Sequence, residues 1–163
     1  MDKHWVKQAI GNNTFLSKLN ELFALDGWLY ATDGDRLHRA KTRLLNSQRK
    51  DLPNIQPTFD NINAQGLKEW ITLKFVSLKL IEKPEYTQVC YGYDGEYEGE
   101  EIIRPDIFEI DDHNYQTKYI MQAFAGHAEM EYLRGLKNML YLRSLDGKRE
   151  AVIMCIKKGE RNE

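Results

Sequence analysis

Cysteine, proline and long apolar runs are scarce in this chain. Its two cysteines, Cys90 and Cys155, form no CxxC pair and stand at no Cys/His ligand spacing, which points to free thiols in a reducing compartment. The histidines His4, His38, His113 and His127 are scattered, and none pairs with another at helical or hairpin spacing, so no metal is expected. No apolar run approaches the roughly 20 residues that a membrane span requires. The stretch Met1-Asp2-Lys3-His4-Trp5 has no signal-peptide core, and the expected location is the cytoplasm, with no membrane contact. There is no Gly-rich phosphate loop, Gly-x-Ser-x-Gly elbow or nucleophilic Cys/His pair. The acidic run from Asp94 to Glu101 lacks the alternating-carboxylate spacing of a Ca²⁺ loop and reads as a solvated hairpin. Asp111, Asp112 and His113 read as a helix N-terminus, where carboxylates meet the positive end of the dipole, rather than as an acid/base cluster. A non-enzymatic protein without cofactors is expected.

What is present suits one soluble globular domain spanning 1–163: hydrophobic residues make up 42% and charged residues 29%. The net charge of −2 conceals a basic stretch at 34–50, with Arg36, Arg39, Lys41, Arg43, Arg49 and Lys50, and an acidic one at 94–112. What matters for partners is whether the basic residues share a face after folding.

Residues 3–10 fit a short helix or an edge strand. Alternation over Phe15 to Leu25, Trp28 to Thr32 and Arg36 to Thr42, with Asp26-Gly27 and Asp33-Gly34 between, predicts a three-stranded antiparallel meander. Residues 44–63 carry Pro53 and Pro57 without a sustained period and read as a surface connection. The spacing predicts a helix over 64–83. At about 100° per residue, Leu67, Trp70, Ile71, Leu73, Leu78, Leu80 and Ile81 fall on one side, and Lys68, Thr72, Lys79 and Lys83 opposite. Pro84 stops it. Strands are expected at Tyr86 to Tyr93 and Ile102 to Ile110, and a second helix from about His113 to Phe124, capped by Asp111 or Asp112 and closed by Gly126. Strands near 129–134, 138–145 and 148–157 follow, and then a frayed tail at 159–163. The order implies an α+β fold with antiparallel sheet.

The segment Ala31-Thr32-Asp33-Gly34-Asp35-Arg36-Leu37 resembles the Ala-Thr-Asp-Gly-His-Arg-Leu signature of bacterial DNA polymerase sliding clamps, with Asp35 where the family usually has histidine. Further stretches resemble that family in the same order. Leu52-Pro53-Asn54-Ile55 is similar to the segment preceding a clamp helix. Glu96-Tyr97-Glu98-Gly99-Glu100, Phe108-Glu109-Ile110 and Asn114 to Phe124 are similar to the clamp run Tyr-Glu-Gly-Glu, Leu-Glu-Ile, Asn-x-Lys-Tyr-Leu-Leu-Asp-Ala-Leu. Val152-Ile153-Met154-Cys155-Ile156-Lys157 is similar to the clamp ending Val-Ile-Met-Pro-Met-Arg, with Cys155 for proline and Lys157 for arginine.

The resemblance implies a DNA-clamp-like domain, two helices packed on curved antiparallel sheets, serving DNA replication or repair as a processivity-type accessory protein. Six such domains close a ring in the family, so self-association or partner subunits are implied. A clamp holds duplex DNA through phosphates without reading bases, which would fall here to Lys68, Thr72, Lys79, Lys83 and Lys118. The family's other surface takes short peptides of polymerases and other clamp-binding proteins. It carries over to Thr32, Gly34, Asp35, Arg36, Leu37, Val152, Met154, Cys155 and Ile156. In the family the two segments come from neighbouring domains, which leaves open a meeting across a subunit interface. The alternative is a protein-interaction module of the same fold that binds or modulates a replication protein without encircling DNA.

Overall fold

The computed structural model describes residues 2–11, 17–66, 68–82, 86–91, 95–103 and 106–156. An N-terminal helix α1 (Asp2–Lys7) and a 3-10 turn (Ser17–Asn20) lead into β1 (Phe23–Leu25), β2 (Trp28–Thr32) and β3 (Arg36–Lys41). Helix α2 (Gln56–Ala64) precedes β4 (Trp70–Lys74), β5 (Lys79–Glu82), β6 (Tyr86–Tyr91), β7 (Tyr97–Ile103), β8 (Asp106–Ile110) and β9 (His113–Gln116). Helix α3 (Thr117–Ala123) is followed by β10 (Glu129–Leu133), β11 (Met139–Arg143) and β12 (Arg149–Met154). Among the described residues no helix is long and apolar enough to cross a membrane.

The principal sheet has seven strands in the order β1-β2-β3-β12-β11-β10-β4, and every pairing in it is antiparallel. A three-stranded sheet β5-β8-β9 and a hairpin β6-β7 hold the other strands among the described residues. Period-2 alternation gives the large sheet two buried faces. On one face, small residues of the sheet (Ala24, Ala31, Ala40 and Ala151) leave room for Trp5 and Val6 of α1 with Ala9 just after it, and for Ile120 and Ala123 of α3 with Phe124 at its C-cap. On the other, Phe23, Tyr30, Leu37, Tyr141 and Val152 meet Ile62 and Phe59 of α2. The fold is α+β, mostly antiparallel sheet, with three α-helices among the described residues.

The predicted meander is present with a shorter first strand: of the stretch expected from Phe15 to Leu25 only Phe23–Leu25 is strand, Ser17–Asn20 being a 3-10 turn. Asp26-Gly27 joins β1 to β2, and Asp33-Gly34 lies in the β2–β3 turn, with Gly34 at φ 97°. The three C-terminal strands also form where alternation places them.

The helix expected over 64–83 does not form. Its first part is instead β4, because Ile71 and Leu73 alternate with Thr72 and Lys74 and find partners in β10, Leu73 opposite Met130 and Lys74 opposite Glu129. That pairing spans more than fifty residues of chain, and a helical wheel is blind to it. Gly66, at φ +84°, already ends the preceding helix. The helix lies instead in 56–64, inside the segment read as a surface connection. Pro57 stands in its first turn, where a missing N–H costs nothing, and Ile55, Phe59 and Ile62 supply its apolar stripe.

The second predicted helix is present only as Thr117–Ala123, with extended Gln116 at its N-cap, while 113–116 are strand. Asp111 and Asp112 do not cap it. Ile110 pairs with His113, so the two aspartates form a two-residue hairpin turn at φ 55° and 65°. That is the positive-φ backbone a type I′ turn demands. Residues 3–10, open between helix and strand in the sequence, include most of α1. Pro84, Pro105 and the tail 159–163 lie outside the described residues.

Candidate functional site

The β2–β3 turn is built by its own side chains. The Asp33 carboxylate accepts from the N–H groups of Asp35 (2.9 Å) and Arg36 (3.0 Å), and Thr32 Oγ1 donates to the Arg36 carbonyl at 2.7 Å. These bonds fix the turn in the way local Asx and hydroxyl contacts do. Beside it runs β12, with Val152 opposite Leu37 and Ile153 opposite Arg36, and the Met154 N–H donates to the Asp35 carbonyl at 2.9 Å.

A groove of about 300 Å³ opens over this junction. Thr32, Gly34, Asp35, Arg36 and Leu37 from the turn, with Val152 and Met154 from β12, line one side of it. Pro53, Asn54, Ile55 and Thr58 from the entry to α2, and Lys18 and Leu19 from the 3-10 turn, line the rest. The two segments that the clamp resemblance singled out are therefore adjacent strands of one chain, and no subunit boundary is needed for them to meet.

Seven of the nine residues carried over line the groove; Cys155 and Ile156 do not. Their N–H groups donate to Asn138 (3.1 Å) and Asn114 (2.7 Å) carbonyls, and Cys155 packs against the cluster on the other face. Four lining residues at the α2 entry, and Lys18 and Leu19, were not predicted. The sequence did carry a trace of the former, since Leu52-Pro53-Asn54-Ile55 belongs to the same resemblance. Nothing local marks Lys18 or Leu19.

The charge of Arg36 is not available to a ligand. Its side chain is only 4% exposed, its Nε pairs with the Asp33 carboxylate at 3.2 Å and its other nitrogens bond the Gln8 carbonyl (2.5 Å) and the Gln122 side chain. Its guanidinium also lies 4.3 Å from the Tyr119 ring centroid. Burial, with Asp33 and Asp35 adding, raises the Tyr119 hydroxyl above its ordinary pKa, so it stays protonated. Arg36 is thus a strut that ties the groove turn to the end of α1, through Gln8 just after it, and to Gln122 of α3.

The residues proposed to face DNA share no helix. Lys68 follows α2 and is exposed, Thr72 is exposed on β4, Lys79 belongs to β5, and Lys118 is exposed on α3. Lys83 lies outside the described residues. The lysine stripe drawn from helical spacing therefore has no helix beneath it, because β4 and β5 replace the predicted element. Among the described residues no group of three or more His, Cys, Asp or Glu side chains is placed to hold a metal ion.

No protein-family model matches the sequence, and no curated protein matches it. Among solved structures, the chain is similar to DNA polymerase III subunit beta from Borrelia burgdorferi, a structure in complex with a natural product. The match has a TM-score of 0.51 at 12% sequence identity and covers 95% of this chain and 62% of that one. This chain thus corresponds to less than two thirds of the length of the structure it matches. At that identity the likeness is one of fold, and the groove described above sits in a clamp-like α+β domain.

Proposed function

We propose that this protein is a clamp-like accessory factor of DNA replication or repair that works by binding, not catalysis, and that docks short apolar peptides of polymerase or other clamp-binding proteins in the groove. The observation that carries this reading is the side-by-side placement of Leu37 and Val152 beneath one open, largely apolar groove. Leucine-type side chains entering it would gain about 25 cal/mol for each Å² of apolar surface removed from water. Extended backbone of a peptide is a good geometric match for a groove walled by strand ends and a helix entry.

The test is binding of a fluorescent leucine-rich peptide to the wild type and to Met154→Glu and Thr58→Glu. Both residues line the groove and Met154 is 38% exposed, so neither change removes a core side chain. Each would seat an unpaired carboxylate against the bound apolar ligand, and at least about tenfold weaker binding with unchanged thermal unfolding is expected. Retained affinity in both variants would remove the peptide reading.

The same proposal includes duplex DNA held through Lys68, Thr72, Lys79, Lys83 and Lys118. Supporting it are the fold likeness and the exposure of Lys68, Thr72 and Lys118. Encirclement would require copies of the chain or partner subunits, which native mass spectrometry can count. For DNA itself, Lys68→Glu with Lys118→Glu should weaken binding of a labelled duplex and lower the slope of log affinity against log salt by about two. An unchanged slope leaves the second reading, an interaction module that binds a replication protein without DNA.

A further inference from the structure

Of the three charged residues on the described lining of the groove, Lys18, Asp35 and Arg36, one is already committed. Arg36 is consumed by Asp33, Gln8 and Gln122, and Asp33 by Arg36 and two backbone N–H groups. Asp35 is the one carboxylate on the described lining, it is exposed, and no described residue hydrogen-bonds or ion-pairs with its side chain. Its backbone is held at both ends, the N–H by Asp33 at 2.9 Å and the carbonyl by the Met154 N–H at 2.9 Å. The backbone of the residue is therefore fixed at the junction of the turn and β12, and a ligand has only the Asp35 side chain left to order. Lys18 is the other charge on the described lining that pairs with no described residue, Asp35 included.

We infer that Asp35 makes the groove select an apolar peptide that carries a basic residue at one end, the cation lying against the Asp35 carboxylate while the apolar side chains occupy the floor over Leu37 and Val152. This inference rests on the reading of the groove as a peptide site and adds the charge of its ligand. A rim carboxylate acts as a discriminator more than as a source of affinity, because an exposed ion pair contributes little against water while a like charge is rejected. Asp35 is thus a specificity residue, and the apolar floor holds the peptide whatever its ends carry.

Blocked peptides of four leucines, with lysine or glutamine at either end, test this by fluorescence anisotropy at low ionic strength. The better of the two lysine peptides is expected to bind wild type about threefold more tightly than its glutamine counterpart. Asp35→Asn should bring that ratio to about one with the glutamine peptide unaffected, and high salt should shrink it in the wild type. Lys18→Gln, which removes the like charge on the lining, should widen it. No lysine preference, a preference that survives Asp35→Asn, or a ratio that narrows in Lys18→Gln overturns the inference while the peptide site stands. Failure of every peptide to bind, or binding of the glutamine peptides indifferent to both Met154→Glu and Thr58→Glu, overturns the peptide site and this inference together.

Discussion

Acidification from pH 7 to pH 4 is expected to remove about 3 kcal/mol of folding stability through His38 alone. His38 has no exposed surface and lies between Ala31 and Ala151 on the neighbouring strands, with the Trp5 ring of α1 stacked on it at 4.3 Å. Its Nδ1 is 3.1 Å from the Trp5 carbonyl, so Nδ1 carries the proton and donates, while Nε2 has no partner among the described residues. A second proton would have to go on that buried, unpartnered nitrogen.

Burial is the main reason that the imidazole is lowered from 6.5 to about 4. The hydrogen bond to Trp5 opposes the shift and the nearby Arg36 charge adds to it. The unfolded chain takes up the proton near 6.5 and the folded chain only near 4. The stabilisation is therefore complete above about pH 6.5 and is lost as the pH falls towards 4.

Urea midpoints measured across that range on the wild type and on His38→Gln, whose amide can still donate to Trp5, should converge towards acid. His127 is lowered too, by burial and then by Arg149, so it acts in the same direction, but it is much more exposed and is unchanged in the variant. Parallel curves for the two proteins would show that His38 does not titrate as its burial dictates. The consequence reaches the groove, because Gln8, the residue that follows α1, accepts from Arg36 through its carbonyl at 2.5 Å, while Trp5 of α1 covers His38.

Replacing Arg39 with alanine should cost about 3–5 kcal/mol, the range for breaking a buried ion pair from one side. The Arg39 guanidinium lies between the Trp28 ring (4.1 Å) and the Phe59 ring (4.2 Å) and bonds Glu150 at 2.5 and 2.8 Å, Tyr30 at 3.1 Å and Tyr141 at 3.3 Å. Burial works against its charge, but Glu150, Tyr141 and Tyr30 outweigh that and hold its pKa above the ordinary value. Removing it strands the Glu150 carboxylate, 13% exposed, with the Tyr141 hydroxyl at 2.5 Å as its remaining side-chain partner.

Because Phe59 belongs to α2, whose entry walls the groove, Arg39→Ala should also weaken peptide binding. Denaturant unfolding of Arg39→Ala, Glu150→Leu and the double variant Arg39→Met/Glu150→Leu separates the contributions. The double variant should regain much of the loss, since no charge is then left unpaired. A loss below about 1 kcal/mol in Arg39→Ala would mean that α2 is held by apolar contact alone.

The sequence by itself determined the parts of this protein whose signals are local. Trp28 to Thr32 and Arg36 to Lys41 alternate, and Asp26-Gly27 and Asp33-Gly34 supply positive-φ turns, so the meander follows from neighbours a few residues apart. The turn Thr32 to Leu37 and the strand Val152 to Met154 stood out as candidate site residues only through their resemblance to two short contiguous segments of sliding clamps; by alternation alone they are a hairpin turn and a core strand.

What only the tertiary structure decided is which patterns win when two are compatible with the same residues. Residues 70–74 fit a helical wheel and a strand, and β10, some sixty residues away, offers the ladder that makes them β4. Residues 56–64 hold two of the three spaced apolar positions in a polar, proline-marked stretch, and become α2 once the aromatic face of the sheet is there to bury Phe59 and Ile62. The groove, too, is a tertiary product: antiparallel pairing of β3 with β12 brings residue 37 against residue 152, a separation no local pattern encodes.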